Sequence, residues 1–167
     1  CVASKILVEK GITFEKVKSA IESFAGIGTM SDVSAADMTP RTKRIIELSA
    51  NEALKLSQSY IGTEHILIAL SADESSCAAV LMKRYNLTRE RIYNTVKEYS
   101  GLGTKTSLTS ADTTPRCRHI LEASYRVALK FGFEQVGTEH ILMALLEERD
   151  SVAFKTLIRM DIDTAML

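Results

Sequence analysis

Two identical six-residue stretches carry the residues of this chain that are best suited to binding chemistry. They run from Gly62 to Leu67 and from Gly137 to Leu142, and each reads Gly-Thr-Glu-His-Ile-Leu. In each copy the threonine is a favoured helix N-cap, and the glutamate falls in the first helical turn. A carboxylate held there can pair with a guanidinium group in bidentate geometry. Glu64 and Glu139 are therefore candidate binding groups for a cation.

A second shared stretch precedes each copy at the same distance. Thr-Pro-Arg occupies residues 39–41 and again residues 114–116. Threonine at the N-cap and proline at the first helical position open a long helix, whose free amide groups and positive dipole end attract phosphate. If such a helix start lies close to a glutamate-bearing start, one pocket offers both an anion site and a carboxylate. A ligand that bears guanidinium and phosphate together, such as phosphoarginine, would satisfy both.

The histidines and the remaining motifs give no support to catalysis. His65 and His140 each follow a glutamate directly, but neighbouring residues on a helix point in different directions and form no acid–base pair. A buried, hydrogen-bonded histidine that holds the inter-helix loop is the simpler interpretation, and His119 is expected on the surface. Residues 101–106 lack the spacing of a phosphate loop, and no HExxH metal motif occurs. We expect no metal, no cofactor and no catalytic nucleophile.

Composition favours a soluble, helix-rich protein. The 167 residues are 46% hydrophobic and 25% charged, and 21 Lys and Arg balance 21 Asp and Glu. This balance argues against nucleic acid or an acidic membrane as a partner, and no apolar run approaches the roughly 20 residues that span a bilayer. Cys1, Cys77 and Cys117 show no CxxC spacing, which favours reduced thiols in a cytoplasmic protein. Because the first residue is Cys1 rather than Met, one interpretation is a processed or excised chain.

Helical periodicity divides the chain into units of one pattern. Between residues 39–70 and 114–145, 17 of 32 positions are identical. The fold is therefore predicted to be all-α, with nine or ten helices in tandem pseudo-repeats of a four-helix unit. Ile66 and Ile141 are expected in the core. The predicted boundaries are 1–26 for the C-terminal half of a unit, 27–38 for a linker, 39–101 for a complete unit, 102–113 for a linker, and 114–167 for a unit truncated in its last helix.

These residues resemble the Clp amino-terminal repeat, the helical module that precedes the ATPase rings of Clp-type AAA+ unfoldases. The resemblance rests on Thr-Pro-Arg opening a long helix, on Gly-Thr-Glu-His-Ile-Leu opening a buried helix, and on the pairs Val2-Ala3 and Val152-Ala153. It covers nearly the whole chain and is greatest to the ClpC branch, because both copies keep Gly-Thr-Glu-His. Domains of this family usually hold two complete repeats in pseudo-twofold pairing, whereas this chain starts and stops within a unit.

The resemblance implies a binding module rather than an enzyme. Such a module would recruit protein substrates or adaptor proteins to a Clp-type unfoldase and its peptidase partner, while ATP hydrolysis belongs to the parent protein. ClpC-type domains read phosphoarginine as a degradation tag with this set of residues. By resemblance, the binding residues here are Thr39, Arg41, Glu64, Thr114, Arg116 and Glu139.

Structural and functional alternatives remain open from the sequence. Thr63 and Glu64 could serve only to cap a helix, and Arg41 could pair with an acid on the surface. The chain could also be a stand-alone accessory subunit of Clp repeats, with a structural or regulatory role on a Clp protease. Apolar faces at the incomplete units could pack on each other or on another chain, which predicts self-association.

Overall fold

The computed structural model describes residues 38–104, 107–108 and 112–162. Within these ranges the protein is all-helical, with seven helices and no strand. The helices predicted in residues 1–26 and after Asp163 lie outside the described residues, so the total of nine or ten stays a prediction. The helices run as α1 Pro40–Lys55, α2 Thr63–Ala72, α3 Cys77–Arg84, α4 Arg89–Ser100, α5 Pro115–Lys130, α6 Thr138–Glu147 and α7 Val152–Arg159.

The long helices α1 and α5 begin at the caps that the sequence predicts. Thr39 Oγ accepts a hydrogen bond from Thr42 N at 3.1 Å, and Thr114 Oγ accepts one from Cys117 N at 3.1 Å. Proline follows each cap at the first helical position, where its missing N–H has no intrahelical partner to lose. A cap of this kind contributes about 1 kcal/mol. Both helices have 16 residues, which corresponds to a length of about 24 Å.

The shorter helices α2 and α6 form the centre of the molecule. Residues 63–71 of α2 are all buried, and Ile66 and Ile141 are completely inaccessible to solvent, so the prediction of a buried central helix is confirmed. Among the described helices, none is by itself long and apolar enough to cross a membrane. Only α2 and α3 together pass that test of length and composition, as a pair bent by 91°.

The two units pair through reciprocal backbone contacts at the helix starts. Thr39 N donates a hydrogen bond to Val136 O at 3.1 Å, and Thr114 N donates one to Ile61 O at 3.0 Å. Met38 and Val136 form a parallel bridge, as do Ile61 and Thr113. Each unit therefore supplies the residue that lies beside the first turn of the other unit's long helix.

A second pair of equivalent hydrogen bonds joins the two units. Thr63 Oγ accepts a hydrogen bond from Ala153 N at 3.1 Å, and Thr138 Oγ accepts one from Ala78 N at 3.4 Å. The acceptor lies at the start of α2 or α6, and the donor lies at the start of α7 or α3. The described parts of the two units are thus related by a pseudo-twofold exchange of equivalent contacts.

Ion pairs to one buried carboxylate break this symmetry. Glu52 is 1% exposed, and its carboxylate accepts hydrogen bonds from Arg89 Nη2 at 2.7 Å and from Lys55 Nζ at 2.8 Å. The cluster ties α1 to the start of α4. The residue 75 positions after Glu52 is Val127, which is itself buried at 5% exposure, so the second unit has an apolar contact at the same place.

Candidate functional site

The glutamate-bearing helices begin one residue earlier than the sequence pattern predicts. Gly62 is the N-cap of α2, and Gly137 is the N-cap of α6, so the prediction that Thr63 caps its helix is wrong. The hydroxyl of Thr63 is engaged across the interface instead. Gly62 N donates to His65 Nδ1 at 2.9 Å, and the same bond joins Gly137 to His140 at 2.9 Å. The histidine ring thus accepts the hydrogen bond of the backbone N–H at the N-cap, which has no partner within the helix.

Both histidines are buried and neutral. Because Nδ1 accepts a hydrogen bond, the ring proton resides on Nε2, and neither Nε2 atom has a hydrogen-bond partner in the described part of the chain. Burial lowers the pKa of His65 to about 4 and also lowers the pKa of His140. A ring edge packs on each: the centroid distance is 5.9 Å from Tyr60 to His65 and 4.9 Å from Phe133 to His140. The histidines hold the loop, as expected, and are unsuited to proton transfer at neutral pH.

Each glutamate folds back over the glycine that precedes it. A Cβ atom added to Gly62 would lie 2.5 Å from both carboxylate oxygens of Glu64, and one added to Gly137 would lie 2.1 Å from Glu139 Oε1. The backbone of both glycines is extended, so a side chain here is disfavoured by the nearby carboxylate and not by the φ angle. The shared Gly-x-Glu spacing leaves room for the carboxylate to lie over the glycine.

The two carboxylates differ in their exposure to solvent. The side chain of Glu64 is 1% exposed, whereas that of Glu139 is 13% exposed. Burial raises the pKa of Glu64, although hydrogen bonding from its own backbone N–H, from Thr63 and from Tyr60 opposes this shift. Glu64 Oε1 has no hydrogen-bond partner among the described residues. A buried carboxylate oxygen without a partner is destabilising, so a cationic ligand that reached it would supply the missing hydrogen bond.

The structure pairs the helix starts between units and not within one unit. α1 and α2 form a hairpin, so the first turn of α1 and the first turn of α2 lie at opposite ends of a helix about 24 Å long. Thr39 lies instead beside Val136, one residue before Gly137, and Thr114 lies beside Ile61, one residue before Gly62. Glu64 also raises the pKa of Cys117 in the first turn of α5, second to the effect of burial. The two candidate sites therefore combine Thr114 with Glu64, and Thr39 with Glu139.

The arginines of the Thr-Pro-Arg stretches point to other partners. Arg41 Nε lies 3.3 Å from Asp73 Oδ2, and its Nη1 donates to Ser75 O at 2.6 Å. Arg116 repeats this arrangement with Glu148 Oε1 at 3.6 Å and Asp150 O at 2.8 Å. Each arginine thus binds the loop that follows the central helix of its own unit. This is the surface ion pair that the sequence analysis left open as the alternative for Arg41.

Two basic residues that the sequence analysis did not assign to the sites lie one turn further along. Lys43 and Arg118 are exposed and follow their capping threonines by four residues, a spacing that places side chains on the same helix face. Arg41 and Arg116 follow by two residues and do not share that face. The spacing of four from the cap was the available signal, and it favours Lys43 and Arg118 as the cations nearest to each anion site.

An apolar groove, also missed from the sequence, lies between α1 and α5. Its volume is about 310 Å³. The groove is lined by residues of both units. Ile61 precedes Gly62, Ile66 follows Glu64 by two residues, and Cys117 lies in the first turn of α5. Its lining is Ile46, Glu47, Ser49, Ala50, Ile61, Ile66, Leu108, Thr113, Cys117 and Leu121.

The described thiols and acids offer no reactive or metal-binding centre. Burial raises the pKa of Cys77 and that of Cys117 to about 12, with smaller contributions from Glu139 and Glu64 respectively. Both are free thiols, and at neutral pH they are protonated and therefore weak nucleophiles. Within residues 38–104, 107–108 and 112–162, no group of three His, Cys, Asp or Glu side chains is arranged to hold a metal ion.

Comparison with solved structures identifies the fold. The N-terminal domain of the chaperone ClpD from Arabidopsis thaliana superimposes with a TM-score of 0.65 at 21% identity, over 78% of this chain and 92% of that one. The Hsp104 N-terminal domain from Candida albicans superimposes with a TM-score of 0.59 at 18% identity, over 78% and 87%. At these identities the likeness establishes the architecture alone.

Comparison of sequences identifies the family. The ATP-binding subunit ClpC of the ATP-dependent Clp protease from Staphylococcus aureus (strain USA300) is 32% identical over 126 residues, which is 75% of this chain. The match spans only 15% of the length of that relative. The family profile of the Clp repeat (R) N-terminal domain matches residues 1–85 and again residues 37–160. The chain therefore belongs to the Clp repeat N-terminal domain family.

Proposed function

We propose that this chain is a non-catalytic module that binds protein substrates or adaptor proteins for a Clp-type ATP-dependent unfoldase. The observation that carries the proposal is the reciprocal pairing of helix starts. Each long helix presents its amide-rich first turn beside the glutamate-bearing turn of the other unit. The match to a short part of the ClpC length supports the assignment as one module of a larger ATPase, through which a Clp peptidase would be reached.

The chemistry of these paired starts fits a phosphorylated arginine. A helix N-terminus binds phosphate through its first amides and its dipole, and a carboxylate binds a guanidinium through two parallel hydrogen bonds. In the first site α5 supplies the anion-binding turn and α2 supplies Glu64. In the second site α1 supplies the turn and α6 supplies Glu139. Lys43 and Arg118 add positive charge on the face of the capping threonine.

Among the residues assigned by resemblance, the structure supports different roles. Thr39 and Thr114 shape the anion-binding turns through their capping bonds, and Glu64 and Glu139 are the guanidinium-binding groups. Arg41 and Arg116 hold the loops after α2 and α6. For these two residues we propose a supporting role, in which they steady the helix start that binds the ligand. We also propose that the four helices α1 to α4 represent the complete repeat, within the boundaries predicted from the sequence.

Calorimetry with free phosphoarginine tests the proposal. Glu64→Gln and Glu139→Gln together are expected to reduce the affinity at least tenfold, because each removes a charge-assisted pair worth about 1.5–3 kcal/mol. Each single glutamine substitution shows which binding event belongs to which site. Removal of a capping threonine hydroxyl should weaken binding at the site whose glutamate lies in the other unit. Thus Thr114→Ala should affect the same binding event as Glu64→Gln. Thr114→Ser, which keeps the hydroxyl, is the matched control. Unchanged affinity in the double glutamine variant would exclude these carboxylates from binding.

A further inference from the structure

The two units exchange an aromatic ring and a glutamine in the loop that precedes the glutamate-bearing helix. The first unit has Gln58 and Tyr60, whereas the residues 75 positions later are Phe133 and Gln135. In both units a ring packs edge-on against the buried histidine, at a centroid distance of 5.9 Å for Tyr60 and 4.9 Å for Phe133. The histidine is thus packed by an aromatic ring from a different loop position in each unit.

In the first unit the same ring also borders the glutamate. Burial raises the pKa of the Tyr60 phenol, and the negative charge of Glu64 raises it further, so the hydroxyl lies beside the carboxylate. The Glu64 side chain is 1% exposed, whereas that of Glu139 is 13% exposed, and Gln135 is itself exposed. The threonine contacts of the two carboxylates are nearly equal, at 3.4 Å and 3.3 Å. The greater burial of Glu64 therefore coincides with the ring and not with the motif.

We propose that the Tyr60 ring covers the Glu64 carboxylate and that a guanidinium ligand displaces the ring, so that the Glu139 site binds first and the Glu64 site binds more weakly. The inference rests on the proposed function, since the displacing group is the guanidinium of that ligand. Glu64 Oε1 has no hydrogen-bond partner among the described residues, but at 1% exposure it is closed to a ligand. Tyr60 is partly exposed and lies in the loop between α1 and α2, so its side chain can rotate outwards without movement of a helix.

Displacement of the ring has a cost that the second unit avoids. Phe133 packs on His140 from a position four residues before the N-cap of α6, so this packing does not depend on the residue two positions before the cap. In the first unit, a ring that leaves Glu64 also leaves His65. A site that is open in only a fraction of the molecules has its apparent affinity reduced by that fraction. The Glu64 site is therefore the weaker of two sites that share one motif.

Calorimetry with free phosphoarginine tests the inference on one site at a time. Glu139→Gln leaves the Glu64 site, and Glu64→Gln leaves the Glu139 site. The Glu139 site should bind about tenfold more tightly, which corresponds to a Tyr60 ring that is open in about a tenth of the molecules. In the Glu139→Gln background, Gln58→Phe with Tyr60→Gln copies the second unit and should raise the affinity about tenfold. Tyr60→Phe is the matched control, because it keeps the ring, and it should leave the Glu64 site the weaker one.

NMR titration of the Glu64 carboxyl group tests the cover without a ligand. Burial is the largest cause of the raised pKa of Glu64, and the Tyr60 hydroxyl opposes it. Gln58→Phe with Tyr60→Gln removes the cover and should lower this pKa, whereas Tyr60→Phe keeps the ring without its hydroxyl and should raise it. The neighbouring His65 and Cys117 are uncharged at neutral pH and do not produce opposite shifts in the two variants.

The outcomes distinguish the inference from the proposed function. If both sites bind phosphoarginine with equal affinity, or if the Glu64 site is the tighter one, the inference is overturned and the proposed function stands. An unchanged or raised Glu64 pKa in the variant that copies the second unit also overturns the inference. If phosphoarginine binds at neither site, the proposed function fails and the inference fails with it. Urea unfolding shows whether the loop variants are folded, and the comparison of the two sites needs no loop substitution.

Discussion

Glu64 and Glu139 occupy the same position in two identical six-residue stretches, but their surroundings differ. Both carboxylates fold back over a glycine, and both follow a threonine whose hydroxyl donates to them, at 3.4 Å and 3.3 Å. Glu64 is nevertheless almost fully buried, whereas 13% of the Glu139 side chain reaches solvent. Local sequence places the carboxylate, and residues outside the motif, including those of the opposite unit, set its environment.

The residues around the motif account for the difference. The position two residues before the N-cap is Tyr60 in one unit and Gln135 in the other. Tyr60 packs on His65 and interacts with the Glu64 carboxylate, which also raises the pKa of the phenol beyond the effect of its own burial. Gln135 is exposed. Two copies of one six-residue motif thus differ in the solvent exposure of their carboxylates although their caps and local hydrogen bonds are the same.

We expect the largest loss of stability at Glu52, because only one of the two units carries a buried charge at this position. Arg89→Ala removes the bidentate partner of Glu52, a residue that is 1% exposed, and leaves only Lys55 beside the carboxylate. It should lower the free energy of unfolding by about 2–3 kcal/mol, within the range for a hydrogen bond to a charged group. Adding Glu52→Val, which copies Val127 of the second unit, should recover most of that loss. Urea unfolding measures both changes. A cost of Arg89→Ala no larger than that of an exposed ion pair, below about 1 kcal/mol, would show that the ionic cluster is not what distinguishes the two units.

A smaller difference in stability is expected between alanine substitutions at Gly62 and at Gly137. Gly62→Ala places a Cβ against the carboxylate of Glu64, whose side chain is 1% exposed, and should cost about 2 kcal/mol. Gly137→Ala introduces a closer contact, 2.1 Å compared with 2.5 Å, but Glu139 can rotate towards solvent, so we expect a smaller cost. Chemical unfolding of the two variants gives the order directly. If Gly137→Ala were the more destabilising substitution, the exposure of Glu139 would not provide this relief.

The smallest effect is the change that one substitution makes in the pH dependence of stability. The folded-state pKa of His65 is about 4, below its usual value of 6.5, so between these values the unfolded chain binds more protons. The contribution of His65 to stability is therefore complete above pH 6.5 and is lost as the pH falls towards 4. The raised pKa of Glu64 acts in the opposite direction, because acid relieves the burial of its charge. Glu64→Gln should therefore steepen the loss of stability as the pH falls below 6.5.

Unfolding curves at several pH values measure this slope, and NMR titration of the histidine rings assigns it. The His65 ring should remain neutral at pH 5.5. Protonation of His65 near pH 6.5, or a shallower pH dependence in Glu64→Gln than in the unsubstituted protein, would contradict the assignment. His140 is the internal comparison, since burial lowers its pKa as well while Glu139 acts to raise it.

The helices and their ends could be predicted from sequence because their causes are local. Thr39 and Thr114 cap helices within their own first turns, and the apolar periodicity of α2 and α6 extends over a few turns. The role of Thr63 was mispredicted for a reason that is not local: its hydroxyl is used by Ala153 N, 90 residues away. The glycine before it takes the cap position, with the histidine ring as its partner.

The candidate site shows the same division between local and tertiary causes. The available groups follow from the sequence: two helix starts that attract anions, two carboxylates in first turns, and a repeat that duplicates them. Which helix start lies beside which carboxylate depends on how the two units pack. A helix of about 24 Å separates the two starts within a unit, while the interface between units joins Thr114 to Ile61 and Thr39 to Val136. The apolar groove likewise lies between α1 and α5, which belong to different units.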